Sequence, residues 1–264
     1  MLGELPTGIP LTGTLNRAAK ERMLARRGEP LFLADWVDTL MVHLEVDPVA
    51  LQQATPFPLD LFDGRAFASL VFFTMHRMRP RLGGLIGEWL MRPIATHEFL
   101  NVRTYVNCNG ESGIHFLAEW LPNAFSVGLG PTAFGLPYRL GKMNYHHALN
   151  GSAVVAGEAV DAATETALTY HGKLADQDCF APCPAGSLDE WLMERYTAFT
   201  HHYGVSRFFR VWHPPWPQVR AEIELTDDSL LRSNWPWLAE GSLLGANYSP
   251  GFHDVWMGRP QLIR

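Results

Sequence analysis

Residues 97–120 hold the feature that most narrows the folds open to this chain. Two arms, His97-Glu98-Phe99-Leu100-Asn101-Val102-Arg103-Thr104-Tyr105-Val106 and Ile114-His115-Phe116-Leu117-Ala118-Glu119-Trp120, flank an Asn109-Gly110 pair. Asn-Gly suits a two-residue hairpin turn because both central residues take positive φ. A turn of that kind pairs residues whose numbers sum to 219. Side chains alternate across a strand, so one face carries Leu100, Val102, Thr104 and Val106 and the other Asn101, Arg103 and Tyr105. Arg103 then faces Phe116 and Tyr105 faces Ile114. An amide, a guanidinium and a phenol opposite apolar partners imply a face that is buried or lines a cavity. A buried guanidinium needs an anion, and two sources stay open: a core carboxylate, or a ligand.

The remaining pattern is mostly strands with short helices. Residues 15–27 are good helix formers with a thin apolar face, which predicts a surface helix or a mobile arm. Residues 35–46 and 65–75 read as strands, with an Asp47-Pro48 helix start and an Asp63-Gly64 turn between them. A connector follows at 79–92, with a helical turn expected over 87–91. Helical character returns at 123–132, and strand character at 153–160 and 164–171. Ser187-Leu188-Asp189-Glu190 is a capping box that opens a helix. Strand patterns recur at 195–202, 207–212 and 219–225; the tail from Asn234 is rich in Trp, Gly and Pro and carries none. We read residues 1–29 as an N-terminal arm with a surface helix and 30–264 as a single domain.

Composition excludes several classes. Hydrophobic residues make up 47% and charged residues 18% of 264, which rules out a disordered chain. The formal net charge of −6 argues against nucleic acid as a partner. Three cysteines cannot build a disulfide framework, no secretion signal is visible, and no stretch is apolar enough to span a bilayer. These point to a cytoplasmic protein with no membrane partner; a homo-oligomer stays open. Without a secretion signal, the Asn150-Gly151-Ser152 and Asn247-Tyr248-Ser249 sequons carry no meaning.

The metal and nucleophile signatures are negative. His146-His147 and His201-His202 are adjacent pairs that point apart in a strand, and Cys179 and Cys183 have no matching second pair, so no metal site is expected. There is no Gly-x-Ser-x-Gly elbow, no Walker loop and no dinucleotide fingerprint, and no cofactor is expected. Gly135-Leu136-Pro137-Tyr138-Arg139, Glu194-Arg195-Tyr196 and His213-Pro214-Pro215-Trp216 place polar groups beside aromatic bulk, where Trp and Tyr commonly serve as core with a satisfied polar tip. Lysine is scarce: Lys20, Lys142 and Lys173.

The order Asp63-Gly64-Arg65-Ala66, Asn101-Val102-Arg103-Thr104-Tyr105-Val106, Gly113-Ile114-His115-Phe116, Leu136-Pro137-Tyr138, Glu194-Arg195-Tyr196 and His213-Pro214-Pro215-Trp216 resembles the YqjF-like bacterial proteins. These are a family of unknown function in the acetoacetate decarboxylase-like superfamily, and the resemblance runs over about residues 30–258. It implies a mainly β (α+β) fold: an antiparallel barrel or cone with a few short peripheral helices around a central polar cavity. Acetoacetate decarboxylases use a Schiff-base lysine in a Gly-Phe-Pro-Lys-Lys motif. The similar segment here puts Tyr138 and Arg139 at the lysine positions, and Lys142 lies about 10 Å along the strand, so the decarboxylase mechanism does not carry over. The resemblance loosely matches Glu98 to a superfamily glutamate.

Two functional classes follow. One is a cavity that binds a small anionic or carbonyl-bearing metabolite through Asn101, Arg103, Tyr105 and Arg139. The other is an enzyme of keto/enol acid–base chemistry, lyase- or isomerase-like, with Tyr138 as acid and Glu98 or His115 as base. The second requires a titratable group with a strongly shifted pKa inside the cavity.

Overall fold

The computed structural model describes residues 14–147, 153–176 and 179–263. The Asn150-Gly151-Ser152 sequon and the Gly/Pro/Thr-rich start of the chain lie outside them. Twelve strands form one sheet: β1 (Phe32–Val46), β2 (Ala66–Pro80), β3 (His97–Cys108), β4 (Glu111–Leu121), β5 (Tyr138–His146), β6 (Val154–Asp161), β7 (Ala167–Leu174), β8 (Thr197–His202), β9 (Val205–Trp212), β10 (Val219–Asp227), β11 (Ser242–Met257) and β12 (Gln261–Leu262). Seven short α-helices lie around it: α1 (Thr14–Leu24), α2 (Pro48–Gln53), α3 (Gly84–Met91), α4 (Ala124–Phe134), α5 (Leu188–Met193), α6 (Ser229–Asn234) and α7 (Pro236–Ala239).

The sheet closes on itself twice around five shared strands, β4-β3-β2-β1-β11. One circuit continues β10-β7-β6-β5 and returns to β4 through a parallel pairing, Glu119 with Tyr138. The other runs from β4 to β8 in parallel, then to β9, and meets β11 at Trp212 with Trp256. Closure removes most exposed edges. Alternation along the shared strands gives each circuit one face. Leu40, Val42, Leu70, Phe72, Leu100, Val102 and Trp120 fill the first with a packed core. Met41, Val71, Phe73 and Phe99 face the second. Phe73 stacks on Phe99 at 5.1 Å and 7°, worth about 0.5–1.5 kcal/mol beyond its area.

Local chemistry explains most elements. Asp47 caps α2 by accepting from the Val49 amide at 3.0 Å. Asp63 and Gly64 both take positive φ in their turn, as do Asn109 and Gly110. Ser187 accepts from the Glu190 amide at 3.1 Å, while Glu190 reaches back to the Gly186 amide. The thin face of α1 suffices to dock it: Ala19 and Met23 are buried, Trp212 Nε1 donates to the Asn16 carbonyl, and the Lys20 ammonium sits 4.3 Å over the Trp212 ring.

The hairpin register holds at 219 for Tyr105 with Ile114, Thr104 with His115 and Arg103 with Phe116. A bulge then shifts it to 220, pairing Asn101 with Glu119 and Leu100 with Trp120. The tail differs from its sequence reading. It contains β11, sixteen residues long, hydrogen-bonded between β1 and β10. Gly245, Gly251 and Asp254 bend this strand with positive φ, which breaks the alternation a sequence reader looks for.

Candidate functional site

Inside the second circuit lies a cavity of about 360 Å³, within the ~300–1,000 Å³ typical of ligand pockets. Most of its wall is apolar and aromatic. Its polar groups include His97, Asn101 and Arg103 of β3, Glu119 of β4, Tyr138 of β5, Arg195 after α5 and His213 after β9, with Thr39 of β1, Ser126 of α4 and Thr197 of β8.

Arg103 is 8% exposed and makes no ion pair among the described residues. Its Nη2 donates to the Leu192 carbonyl at 3.3 Å and lies 3.5 Å from Met41 Sδ, while its Nε has no partner. Holding an unpaired ion out of water costs roughly several kcal/mol. Arg195 lines the same end and shows the contrast. Its Nη1 donates to Asp60 at 2.7 Å, its Nε to the Trp191 carbonyl, and its guanidinium packs 4.1 Å from the Trp191 ring. One arginine is answered from within the fold and the other is not.

Asn101 Oδ1, Glu119 Oε2 and Thr39 Oγ1 are likewise buried on the cavity wall without partners. Glu119 is 3% exposed, and burial pushes its carboxyl well above the usual carboxylate range. Tyr138, its register partner on β5, is raised by burial and then by the nearby Glu119 charge. The Tyr138 ring lies under α4 at Gly130, where a Cβ would come within 2.3 Å of it. Burial pushes the His97 imidazole down to about 4 and likewise that of His213.

The sequence-derived candidates divide. Asn101, Arg103 and Tyr138 line the cavity together. Tyr105 lies on the same strand face but beyond the lining: its hydroxyl is 2.6 Å from Ser69 Oγ, which is 2.7 Å from His43 Nδ1. Arg139 alternates away from Tyr138, stacks 5.1 Å from Trp120 and bonds Asn234. Glu98 sits on the opposite face of β3 from Phe99, in register with Thr74 and near Tyr145. His115 points away from Phe116, donates from Nδ1 to the Phe199 carbonyl at 2.9 Å, and meets the Phe57 ring. Lys142 is exposed on β5 across from Val160, and Lys20 and Lys173 also lie off the cavity lining. Glu119 escaped the sequence reading. Its signal was the 219 register itself, which sets Glu119 opposite Leu100 on the packed face, a conflict that the bulge relieves.

The profile of the DUF2071 family, described as an uncharacterized conserved protein family, matches residues 33–250. The chain belongs to the DUF2071 family. Within that grouping, it is 30% identical over 213 residues to the uncharacterized protein YqjF of Bacillus subtilis (strain 168), covering 79% of this chain and 84% of that protein. Among solved structures, this DUF2071 protein is similar to the enduracididine biosynthesis enzyme MppR complexed with pyruvate, with TM-score 0.61 and 14% identity over 88% of this chain and 90% of that one. Acetoacetate decarboxylase from Legionella pneumophila gives TM-score 0.58 and 10% identity over 98% of both chains. The DUF2071 fold seen here is therefore acetoacetate decarboxylase-like. No helix among the described residues is long and apolar enough to cross a membrane.

Proposed function

We propose that the cavity binds a small anionic or carbonyl-bearing metabolite, with its carboxylate or enolate oxygen on Arg103. The carrying observation is the buried guanidinium that has no carboxylate of its own among the described residues, beside an open cavity. Asn101 adds an amide to the same wall, and burial of Glu119 favours its protonated form, which offers a hydroxyl donor. No lysine lines the cavity, so the reading carries no Schiff base. That MppR is described with pyruvate makes 2-keto acids the first class to try. A cytoplasmic location belongs to this reading, supported by the free Cys108, Cys179 and Cys183.

Trp36 and Trp216 line the cavity and report occupancy. Titration of pyruvate and larger 2-keto acids against tryptophan fluorescence is the test. Arg103→Leu should weaken binding by about 30-fold or more, since truncating one partner of a buried charge pair costs ~2–5 kcal/mol. Arg139→Leu should leave binding unchanged. Equal binding by wild type and Arg103→Leu refutes the proposal.

Glu119 favours a second reading, proton transfer on the bound acid. A carboxyl with a raised pKa and a phenol are register partners on the cavity wall. In this reading Tyr138 keeps the acid role that the sequence reading gave it, and the ionised fraction of Glu119 takes the α-proton in place of Glu98 or His115, so exchange should speed up as pH rises. Exchange of α-protons of a bound keto acid into deuterated water, followed by NMR, should be catalysed by wild type and lost in Glu119→Gln. No exchange above the buffer rate leaves the protein a binder only.

A further inference from the structure

The cavity is long, and its chemistry is sorted along its length. The wall-facing residues of β3 run His97, Phe99, Asn101, Arg103, a span of about 20 Å at ~3.3 Å per residue. Their partners on β2 follow the same order: Met75, Phe73, Val71, Ser69. One end is closed and charged, with Arg103, Met193, His213 and Trp216 all at most 8% exposed. The other end is roofed by α3 and α4, and the exposed lining residues Leu129 and Ala133 lie on α4. Between them stands an apolar sleeve that includes Phe73, Phe99, Met75 and Trp36, with Met91 and Ile94 toward the mouth. The apolar surface continues outside: Leu85, Ile86 and Trp89 on α3 and Phe125 on α4 are all more than 60% exposed.

A three-carbon acid uses only the charged end of such a space. From this sorting we infer that the ligand is an amphiphilic monocarboxylic acid, its head on Arg103 and an extended apolar body filling the sleeve to the mouth under α3 and α4. This inference rests on the anion site proposed above and adds the class of molecule that the site takes. Glu119 pairs with Asn101, two residues from Arg103 along β3, and Tyr138 packs against Phe99 under α4, so the acid–base pair stands between the head site and the mouth. Between Asn101 and His97, whose ring nitrogens lack partners at the far end of the β3 wall, the wall residues of β2 and β3 are Val71, Phe73, Phe99 and Met75, and burying a polar body against them is unfavourable.

The test is a chain-length series, from butanoate to dodecanoate below micelle-forming concentrations, titrated by the fluorescence of Trp36 and Trp216 and checked by calorimetry. Affinity should rise about fourfold per methylene, the equivalent of ~0.8 kcal/mol, and level off once the chain reaches the mouth. Ala133→Trp should flatten the series at its long end. Arg103→Leu should weaken every member alike. If short acids bind through Arg103 with no gain along the series, this inference fails and the anion site stands. If Arg103→Leu changes nothing at any length, both fail. The wild-type series needs no variant, so a misfolded substitution cannot shield the proposal.

Discussion

Replacing Arg103 by Met should stabilise the protein while removing its anion site. Methionine is unbranched, matches the aliphatic stem, and joins Met41, Met193 and Met75 in the wall. Replacing buried ions with apolar residues of similar volume has gained ~1–4 kcal/mol elsewhere. Here the substitution removes no ion pair among the described residues. It gives up a hydrogen bond to the Leu192 carbonyl at 3.3 Å and a weaker one to Met41 Sδ at 3.5 Å, together worth about 1 kcal/mol. The net expectation is a gain of up to about 3 kcal/mol. At ~2–4 °C per kcal/mol for a chain near this size, Tm should rise by up to about 12 °C. Differential scanning calorimetry on the unliganded protein reads this directly. A fall of several degrees would show that Arg103 is held by the fold and would refute the argument that it waits for a ligand. The same substitution at Arg195 should destabilise by about 3–5 kcal/mol, because it strands the Asp60 carboxylate.

Three further outcomes follow from the same geometry. His43, His97, His115 and His213 are pushed down to between about 3 and 4 by burial, so the folded state stays neutral while the unfolded state binds protons below about 6.5. The raised carboxyls of Glu119 and Glu194 act in the opposite sense, but the lowered imidazoles, His147 among them, outnumber them, so stability should fall on acidification from pH 7 toward 5, readable by urea titration across pH 4–7. Glu119→Gln removes a group whose folded pKa is raised; wild type loses stability relative to the variant as pH climbs above about 4.5, at up to ~1.4 kcal/mol per unit, and a pH-independent difference would show that Glu119 is not held neutral. Gly251→Ala puts a Cβ 1.9 Å from the Trp36 carbonyl at a φ of 93°, which should cost more than ~2 kcal/mol in chemical denaturation; a neutral result would deny the close approach of β11 to β1 at this pairing.

Much of the fold was legible because its signals were local. Asn109-Gly110 fixed the hairpin, Asp47-Pro48 and Ser187–Glu190 fixed helix starts, and alternation placed Asn101 and Arg103 on one face. What was hidden depended on long-range pairing. The strand β11 is interrupted by glycines and an aspartate that bend it, so only its partners β1 and β10 reveal it as a strand. Arg139 follows Tyr138 in sequence, yet a strand throws neighbours to opposite faces, and Trp120 and Trp235 supply its packing. Glu98 and His115 belong to the same two strands as the site but to their other faces. Glu119 reached the cavity through a single bulge, a one-residue slip that exchanges the faces of everything after it. Arg195 and His213 stood in motifs whose side-chain company pointed to core, and only closure of β8 and β9 onto β4 and β11 turns them toward the cavity.

The central claim is that Arg103 holds an exogenous carboxylate. The most direct measurement is a crystal structure of the protein with a bromine-labelled carboxylic acid. The account predicts carboxylate oxygens about 2.7–2.9 Å from the Arg103 guanidinium, the spacing of a charge-assisted hydrogen bond, with the bromine signal displaced toward α4. Density on Arg139 or at the surface, with the cavity empty under saturating acid, would contradict it.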